Sequence, residues 1–315
     1  MTRYARSPVV VVPVGDLHVG SSVALCPAQG VVLEDGGRYT PNEAQRWLWD
    51  RWLDLVARVR ELRRRRYHVV LVSLGEFIDG RHHESTQLLS QAPEIQAAAA
   101  LDVLQPMVAL AHEIYVVRGT EAHSGKGAAS DYSIGREIGA RRDPSTGMAA
   151  WYHLLLDVAG VHFDVAHHVG GGGDDPRLYG GAIRRETAAM LMERPDTHIV
   201  LRGHVHRFAD TGYAFPTAWG AVVPAWQLKT AFTHRVTRRE YFSVGTWLIE
   251  LHREGQWQKT KLMWSVPEAP RIVSSASTLR GSSQSLTNTP AIGRTKTNSR
   301  PPGSPKRKAG PTKGQ

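Results

Sequence analysis

Pro8-Val9-Val10-Val11-Val12-Pro13-Val14-Gly15-Asp16-Leu17-His18 runs seven apolar residues into a glycine, a carboxylate and an imidazole. A short Val-rich run closed by a turn glycine reads as a β-strand feeding a tight loop. The same order recurs four times further on. Residues 68–74 lead to Gly75-Glu76-Phe77-Ile78-Asp79-Gly80, and residues 114–117 to Arg118-Gly119-Thr120-Glu121-Ala122-His123. Residues 161–165 lead to His167-His168, and 198–201 to Gly203-His204-Val205-His206. In α/β sheets, ligands gather beyond the carboxyl ends of the strands, so five such ends can converge on one site.

Between these strands lie helical patterns. A helix is predicted to start at Thr40-Pro41-Asn42-Glu43, with Thr40 as cap, Pro41 in the first turn and Glu43 returning a bond. Leu48, Trp52, Leu55, Val56, Val59 and Leu62 follow at helical spacing and form one apolar face, read as core packing. The Arg63 to Arg66 run after them reads as a solvated helix end. Further helices are predicted over residues 93–113, kinked or divided at Pro106, and 182–193. Strands are also expected at 154–158 and 246–251. Strands alternating with helices predict α/β layers with parallel pairing.

Composition bounds the function. The chain has 315 residues, 41% of them hydrophobic, and a mean hydropathy of -0.32, which excludes a wholly disordered chain and a multi-span membrane protein. Its one cysteine, Cys26, excludes an intramolecular disulfide and any Cys-cluster site, and suits a reducing, cytoplasmic setting. No stretch is long enough for a spanning helix, the first apolar run is too short for a signal peptide, and no membrane partner is expected. The formal charge is +10. Residues 271–315 hold nine basic and no acidic or aromatic residues among Ser, Thr, Gly and Pro, and are expected to form a disordered basic tail. The remaining body, 1–270, holds 30 basic against 29 acidic residues. Any nucleic-acid affinity that the charge promises is therefore expected in the tail.

Mixed carboxylate and imidazole ligands without thiolates suit Mn, Fe or Zn, and a carboxylate can bridge two such ions. In order and spacing the motifs resemble those of the calcineurin-like metallophosphoesterases, whose pattern is D-x-H, G-D-x-x-[DN], G-N-H-[DE], a lone His and G-H-x-H, with phage and prophage members among them. Asp16-Leu17-His18 and Gly203-His204-Val205-His206 match outright, and Gly75-Glu76-Phe77-Ile78-Asp79 matches with Glu in place of the bridging Asp. The resemblance covers residues 9 to about 207. It implies a four-layer α/β/β/α sandwich of two mixed sheets, two divalent metal ions, and hydrolysis of phosphate esters.

Carried over residue by residue, the resemblance gives Asp16, His18 and His206 to one ion, His204 and His167 or His168 to the other, with His167 favoured, and Glu76 to both. The third motif departs from the pattern. One alignment makes Glu121 a metal ligand and His123 the catalytic residue, oriented and kept protonated by Asp79; the other puts Thr120 in the Asn position and leaves no catalytic histidine. Arg118 and Arg202 precede motif glycines and are candidates for phosphate contact. Gly170 to Gly173 with Asp174-Asp175 lacks the lysine of a P-loop and reads as a loop at the mouth of the site. Trp226 reads as a core residue, with a wall of the substrate pocket as the other reading. The predicted function is a metal-dependent phosphoesterase, with a nucleotide or nucleic-acid phosphodiester favoured by the tail. The alternative is an impaired scaffold that binds nucleic acid.

Overall fold

The first strand, β1 (Val9–Val14), is buried along its whole length because both of its faces are covered. In the computed structural model, which describes residues 7–82, 84–170, 180–236, 243–252 and 255–267, Val10, Val12 and Val14 pack beneath helices. Val9 and Val11 face a second sheet. The chain then runs through β2 (Val31–Val32), β3 (Arg38–Tyr39), α1 (Glu43–Arg64), β4 (His68–Ser73), α2 (Pro93–Val108) and β5 (Glu113–Val116). Next come α3 (Glu121–Ser124), α4 (Ala129–Glu137), β6 (Leu154–Val158), β7 (Val161–Val165), α5 (Gly181–Glu193) and β8 (Ile199–Arg202). Last are β9 (Ala209–Asp210), β10 (Trp219–Val222), α6 (Ala231–Val236), β11 (Ser243–Leu251) and β12 (Trp257–Ser265).

Two five-stranded mixed sheets result, ordered β12-β11-β1-β4-β5 and β6-β7-β8-β10-β9. Pairs β1–β4, β4–β5, β7–β8 and β8–β10 are parallel. The first sheet carries α1 and α2 on its outer face, where Trp52 reaches across to donate to the Val103 carbonyl at 2.9 Å. Val70 and Val72 of that sheet meet Phe163, Val165 and Leu201 of the second in the core between the sheets. On the far side, Ala182 and Ile183 of α5 cover Val200 and Val222. The layers are therefore α/β/β/α, as the resemblance implies.

Register places the motif loops side by side. Val14 pairs with Ser73, and Ser73 with Val116, so β1, β4 and β5 end level with one another. Val165 likewise pairs with Leu201.

Several expected boundaries move. Asn42, not Thr40, caps α1: its side chain accepts from Gln45 N at 2.9 Å while the Gln45 side chain accepts from Asn42 N at 3.1 Å. The second helix stops at Val108, with Pro106 in its last turn, and Glu113 already begins β5. The apolar face predicted for α1 is buried in full. Among the described residues no helix is long and apolar enough to cross a membrane. The 271–315 tail lies outside the described residues.

Candidate metal centre

Backbone bonds fasten the loops beyond β1 and β4 to each other before any side chain is considered. Asp16 N and His18 N each donate at 3.0 Å, to the carbonyls of Gly75 and Glu76, and Asp79 N returns a bond to Val19 at 3.0 Å. The Asp16 carbonyl accepts from Trp226 N, and Gly203 N donates to the His167 carbonyl, both at 2.9 Å. Two glycines make this closeness possible. A Cβ on Gly203 would lie 2.8 Å from Asp16 Oδ2, and one on Gly75, at φ +86°, would lie 2.4 Å from Gly119 N.

Three groups of donors form among the described residues: His18, Asp79 and His123 make one, and the other two share Glu76. Of those two, Asp16, His18, Glu76 and His206 make the first and Glu76, His167 and His204 the second, with all donor atoms in each group within 4.8 Å of one another. Glu76 turns one oxygen to each of this pair. Its Oε2 is 3.3 Å from His18 Nε2, and its Oε1 is 3.3 Å from His167 Nε2. The longer side chain fits because Gly119 has no Cβ; one there would meet Glu76 Cγ at 2.3 Å.

Hydrogen bonding does not account for this packing. His18 Nε2 and His206 Nε2 face each other at 3.0 Å, while Asp16 Oδ1 is buried without a hydrogen-bond partner. Buried polar atoms are ordinarily satisfied, so convergent lone pairs of this kind fit a cation. The backbone agrees. Asp16, His18, Glu76, His204 and His206 have φ between 47° and 70°, a left-handed conformation costing about 1–2 kcal/mol for each non-glycine residue. Strain of that kind gathers at functional sites. Of the two neighbouring histidines, His167 is buried in the second group, its Nδ1–H donating to the Leu74 carbonyl at 2.6 Å so that Nε2 presents its lone pair. His168 is exposed.

Electrostatics of the bare cluster reflect opposed effects. Burial works against charge on His18, but its bonds to Asp79 and Glu76 outweigh that and raise its pKa to about 10. His167 rises to about 9 in the same way, through Glu76 and Asp16. Burial pushes Asp16 up to about 7. Glu76 and Asp79 stay well below the usual carboxylate range, because their histidine partners overcome the cost of burial. Burial and the nearby His18 charge depress His206.

At the third motif, the structure brings Thr120 to the donor groups and leaves Glu121 apart from them. Thr120, not Glu121, faces Glu76: Thr120 N and Oγ1 donate to Glu76 Oε1 at 3.0 and 2.5 Å. Glu121 is exposed and accepts from Gly127 N at 3.0 Å, outside the donor groups. The cause is helical. Thr120 is the cap of α3 and His123 its third residue, so these two share a face while Glu121 is turned outward. His123 is therefore present at the site, contrary to the alignment that uses Thr120 and leaves no histidine. Its ring lies 4.4 Å from that of His18, edge to face.

Asp79 meets more than its expected partner. Its carboxylate meets His18 Nδ1 at 3.1 Å, accepts from Gln227 Nε2 at 2.9 Å and lies 3.7 Å from His123 Nδ1, while the Asp79 carbonyl accepts from the same nitrogen at 2.7 Å, so backbone and side chain of Asp79 both face His123. Burial and the His18 charge depress His123 to about 4, so its ring is neutral rather than held protonated.

Four further residues shape the site; of these the sequence singles out Trp226 alone, as a core residue. Gln227 and His82 both approach Asp79, and the His82 ring lies 4.1 Å from that of His123. Fully buried Asp131 accepts from Gly119 N at 2.8 Å, from Ser124 Oγ at 2.6 Å, and from Glu76 N and Phe77 N at 3.3 Å. It ties the third motif to the second. Trp226 packs in the core edge-on to Trp52 and fixes Asp16 through its backbone. The two arginines face elsewhere. Arg202 is buried against Asp164 and Glu186, and Arg118 lies over Tyr152 and donates to the Ala150 carbonyl. The glycine-rich loop lies mostly outside the described residues.

No family model matches the chain, and no curated protein matches it in sequence. Similar solved structures include Vps29 from Entamoeba histolytica in complex with zinc, at 12% identity and TM-score 0.36, covering 81% of this chain and 99% of that one. A conserved protein from Streptococcus pneumoniae described as a predicted phosphoesterase matches at 12% and 0.31, over 82% and 100% of the two chains. A putative 5'-nucleotidase from Staphylococcus aureus matches at 13% and 0.37, over 87% and 57%. At these identities and scores the functional argument rests on the residues of this chain.

Proposed function

We propose that the chain is a dinuclear-metal-dependent hydrolase of phosphate esters. The observation that carries this reading is Glu76, which turns one carboxylate oxygen to each of two convergent donor groups. Asp16, His18 and His206 would hold one ion and His167 and His204 the other, with Glu76 common to both. Divalent ions there supply Lewis acidity to a phosphoryl oxygen and lower the pKa of water.

The chain's own residues prepare that chemistry. The Leu74 carbonyl fixes the tautomer of His167, Asp79 orients His18, and Thr120 holds the Glu76 carboxylate in place. His123, with Nδ1–H committed to the Asp79 carbonyl, keeps Nε2 for the substrate. Neutral in the bare protein, the ring gains a proton beside an anionic phosphate, which favours the imidazolium. It can then pass that proton to the leaving oxygen. We place the partner for nucleic acid in the 271–315 tail, where the basic residues are concentrated without acidic ones.

Turnover of bis-p-nitrophenyl phosphate and p-nitrophenyl phosphate tests the reading, in the purified full chain loaded with Mn, Zn, Fe or Ni. Hydrolysis of either ester supports it, and inert protein with metal bound overturns it. His123→Ala is expected to slow turnover about 10²–10⁴-fold with full metal content. Glu121→Ala should change neither by more than about twofold, as for an ordinary surface residue. Loss of metal on replacing Glu121, measured by elemental analysis, would favour the register in which Glu121 is a ligand.

Proton release supplies a pH test. Near neutrality the metal-free protein keeps protons on His18 and His167, whose pKa values are about 10 and 9. Loading must displace them, together with the proton on Asp16 below its raised pKa of about 7. Metal affinity should therefore rise between about pH 6 and 10, with the number of protons released falling from about three at about pH 6 to between about one and two at about pH 9. Calorimetry in buffers of different ionisation enthalpy measures both. A pH-independent affinity would contradict the donor assignment.

A further inference from the structure

The two groups that share Glu76 are unequal. Asp16, His18, Glu76 and His206 offer four donors, three of them buried, whereas Glu76, His167 and His204 offer three, one of them exposed. The shared carboxylate adds to the difference. Among the described residues its Oε2 meets His18 Nε2 alone, at 3.3 Å, and keeps lone-pair capacity for the first group. Its Oε1 accepts from Thr120 N at 3.0 Å and from Thr120 Oγ1 at 2.5 Å, and also faces His167 Nε2 at 3.3 Å. A carboxylate oxygen carries two lone pairs, so the two Thr120 donors fill the oxygen that the second group needs. Helix capping does not explain the hydroxyl. Thr120 is the cap of α3, yet its side chain makes no bond to the helix and donates to Glu76 instead.

Resting on the phosphoesterase reading, we propose that Thr120 is a positioning residue that weakens the second group through Glu76 Oε1, so that the two groups load in order. Asp16, His18 and His206 then retain an ion at metal concentrations that leave His167 and His204 without one. The hydrolase needs both, so its activity follows the concentration of free divalent ion. Filling the second group must displace the Oγ1–H bond from Oε1. A hydrogen bond to a charged group is strong enough for that displacement to cost about tenfold in affinity. The backbone N–H of residue 120 survives any substitution, which leaves the hydroxyl as the part that sets the gap.

Manganese alone, titrated into the metal-free full chain and followed by calorimetry, tests this. One pH throughout cancels the ring protons that loading displaces. Two steps are expected, the second at least about tenfold weaker, and His204→Ala should remove the second step while leaving the first. Thr120→Val removes the hydroxyl but keeps the branched shape and the backbone donor. It should tighten the second step about tenfold and leave the first within about twofold. Thr120→Ser keeps the hydroxyl and should reproduce the unsubstituted steps. A merely structural part for Thr120 would move both steps together or make the serine and valine variants alike. Thr120→Ala carries the same expectation as Thr120→Val, so a failure of the latter to fold leaves the test standing. Two ions entering with equal affinity overturn the proposal, as does a second step that loss of the hydroxyl leaves unchanged or weakens. Hydrolysis of the chromogenic esters is scored separately on the manganese-saturated chain. Turnover with equal steps removes this inference alone, whereas unequal steps without turnover remove the reading on which it rests.

Discussion

Replacing Glu76 by alanine abolishes phosphate-ester turnover, by at least about 10³-fold, and lowers metal content below two ions per chain. Both effects follow from one side chain. Glu76 Oε2 faces His18 and Oε1 faces His167, so truncation removes a donor from each group together with the negative charge between them. The histidines cannot compensate, because His18 Nε2 and His206 Nε2 already stand 3.0 Å apart.

The same substitution has a signature in the metal-free protein. Glu76 is among the partners that raise His18 to about 10 and His167 to about 9, against the effect of burial. A histidine whose pKa is raised on folding adds stability that is fully present below its unfolded value, near 6.5, and is lost as pH rises through the folded value. Glu76→Ala should therefore move both ring titrations down, as read by NMR, and shrink the stability advantage at pH 6 relative to pH 10. Glu76→Asp keeps the charge but retreats one methylene from the space beside Gly119, and should recover part of the metal affinity. Unchanged metal content and full activity in Glu76→Ala would remove the shared carboxylate from the mechanism.

What could be read in the sequence follows from how local the cause was. The 9–14 run reads as a strand because its buried residues are contiguous. The α1 face reads because one helical period places Trp52 and Val59 on it. By contrast, β12 is an edge strand whose Lys259 and Lys261 lie over Trp219 and Phe208, so its charges hide the β pattern while protecting the edge. β10 is only four residues long.

The donor residues were legible because each follows a strand within a few positions. The third motif is harder to read, because a strand-end count advances one residue at a time, whereas the chain there turns into a helix. In that turn Thr120 and His123 share a face and Glu121 is lost to solvent. Asp79 was legible in part: its carboxylate does face His123, at 3.7 Å, but the shorter bond to its carbonyl is invisible in a residue pattern. Gln227 stands 148 positions from Asp79 in the chain, beyond any spacing rule.

Asp131 is the least legible of these residues, and its removal should be felt almost as strongly as that of Glu76. Asp131→Ala takes the acceptor from three backbone N–H groups, those of Glu76, Phe77 and Gly119, and from the Ser124 hydroxyl, all at a fully buried point. Each stranded donor costs about 1–3 kcal/mol, reduced where water enters the vacated space. A loss of about 3–5 kcal/mol is expected for the substitution, and a fall of about 10 °C in Tm for a domain of this size. The function should fall with it. The bonds that Asp131 accepts hold Glu76 in its left-handed conformation and set Thr120 against the Glu76 carboxylate. Asp131→Asn gives an intermediate case, since an amide group placed against one of the backbone N–H groups repels it while the remaining oxygen still accepts. The measurements are scanning calorimetry of the metal-free variants and metal content at a temperature where each is folded. Asp131→Ala that unfolds early but binds metal normally once folded would make Asp131 a contributor to stability alone. Weakened metal binding in the folded variant would mark it as the residue that positions the shared carboxylate.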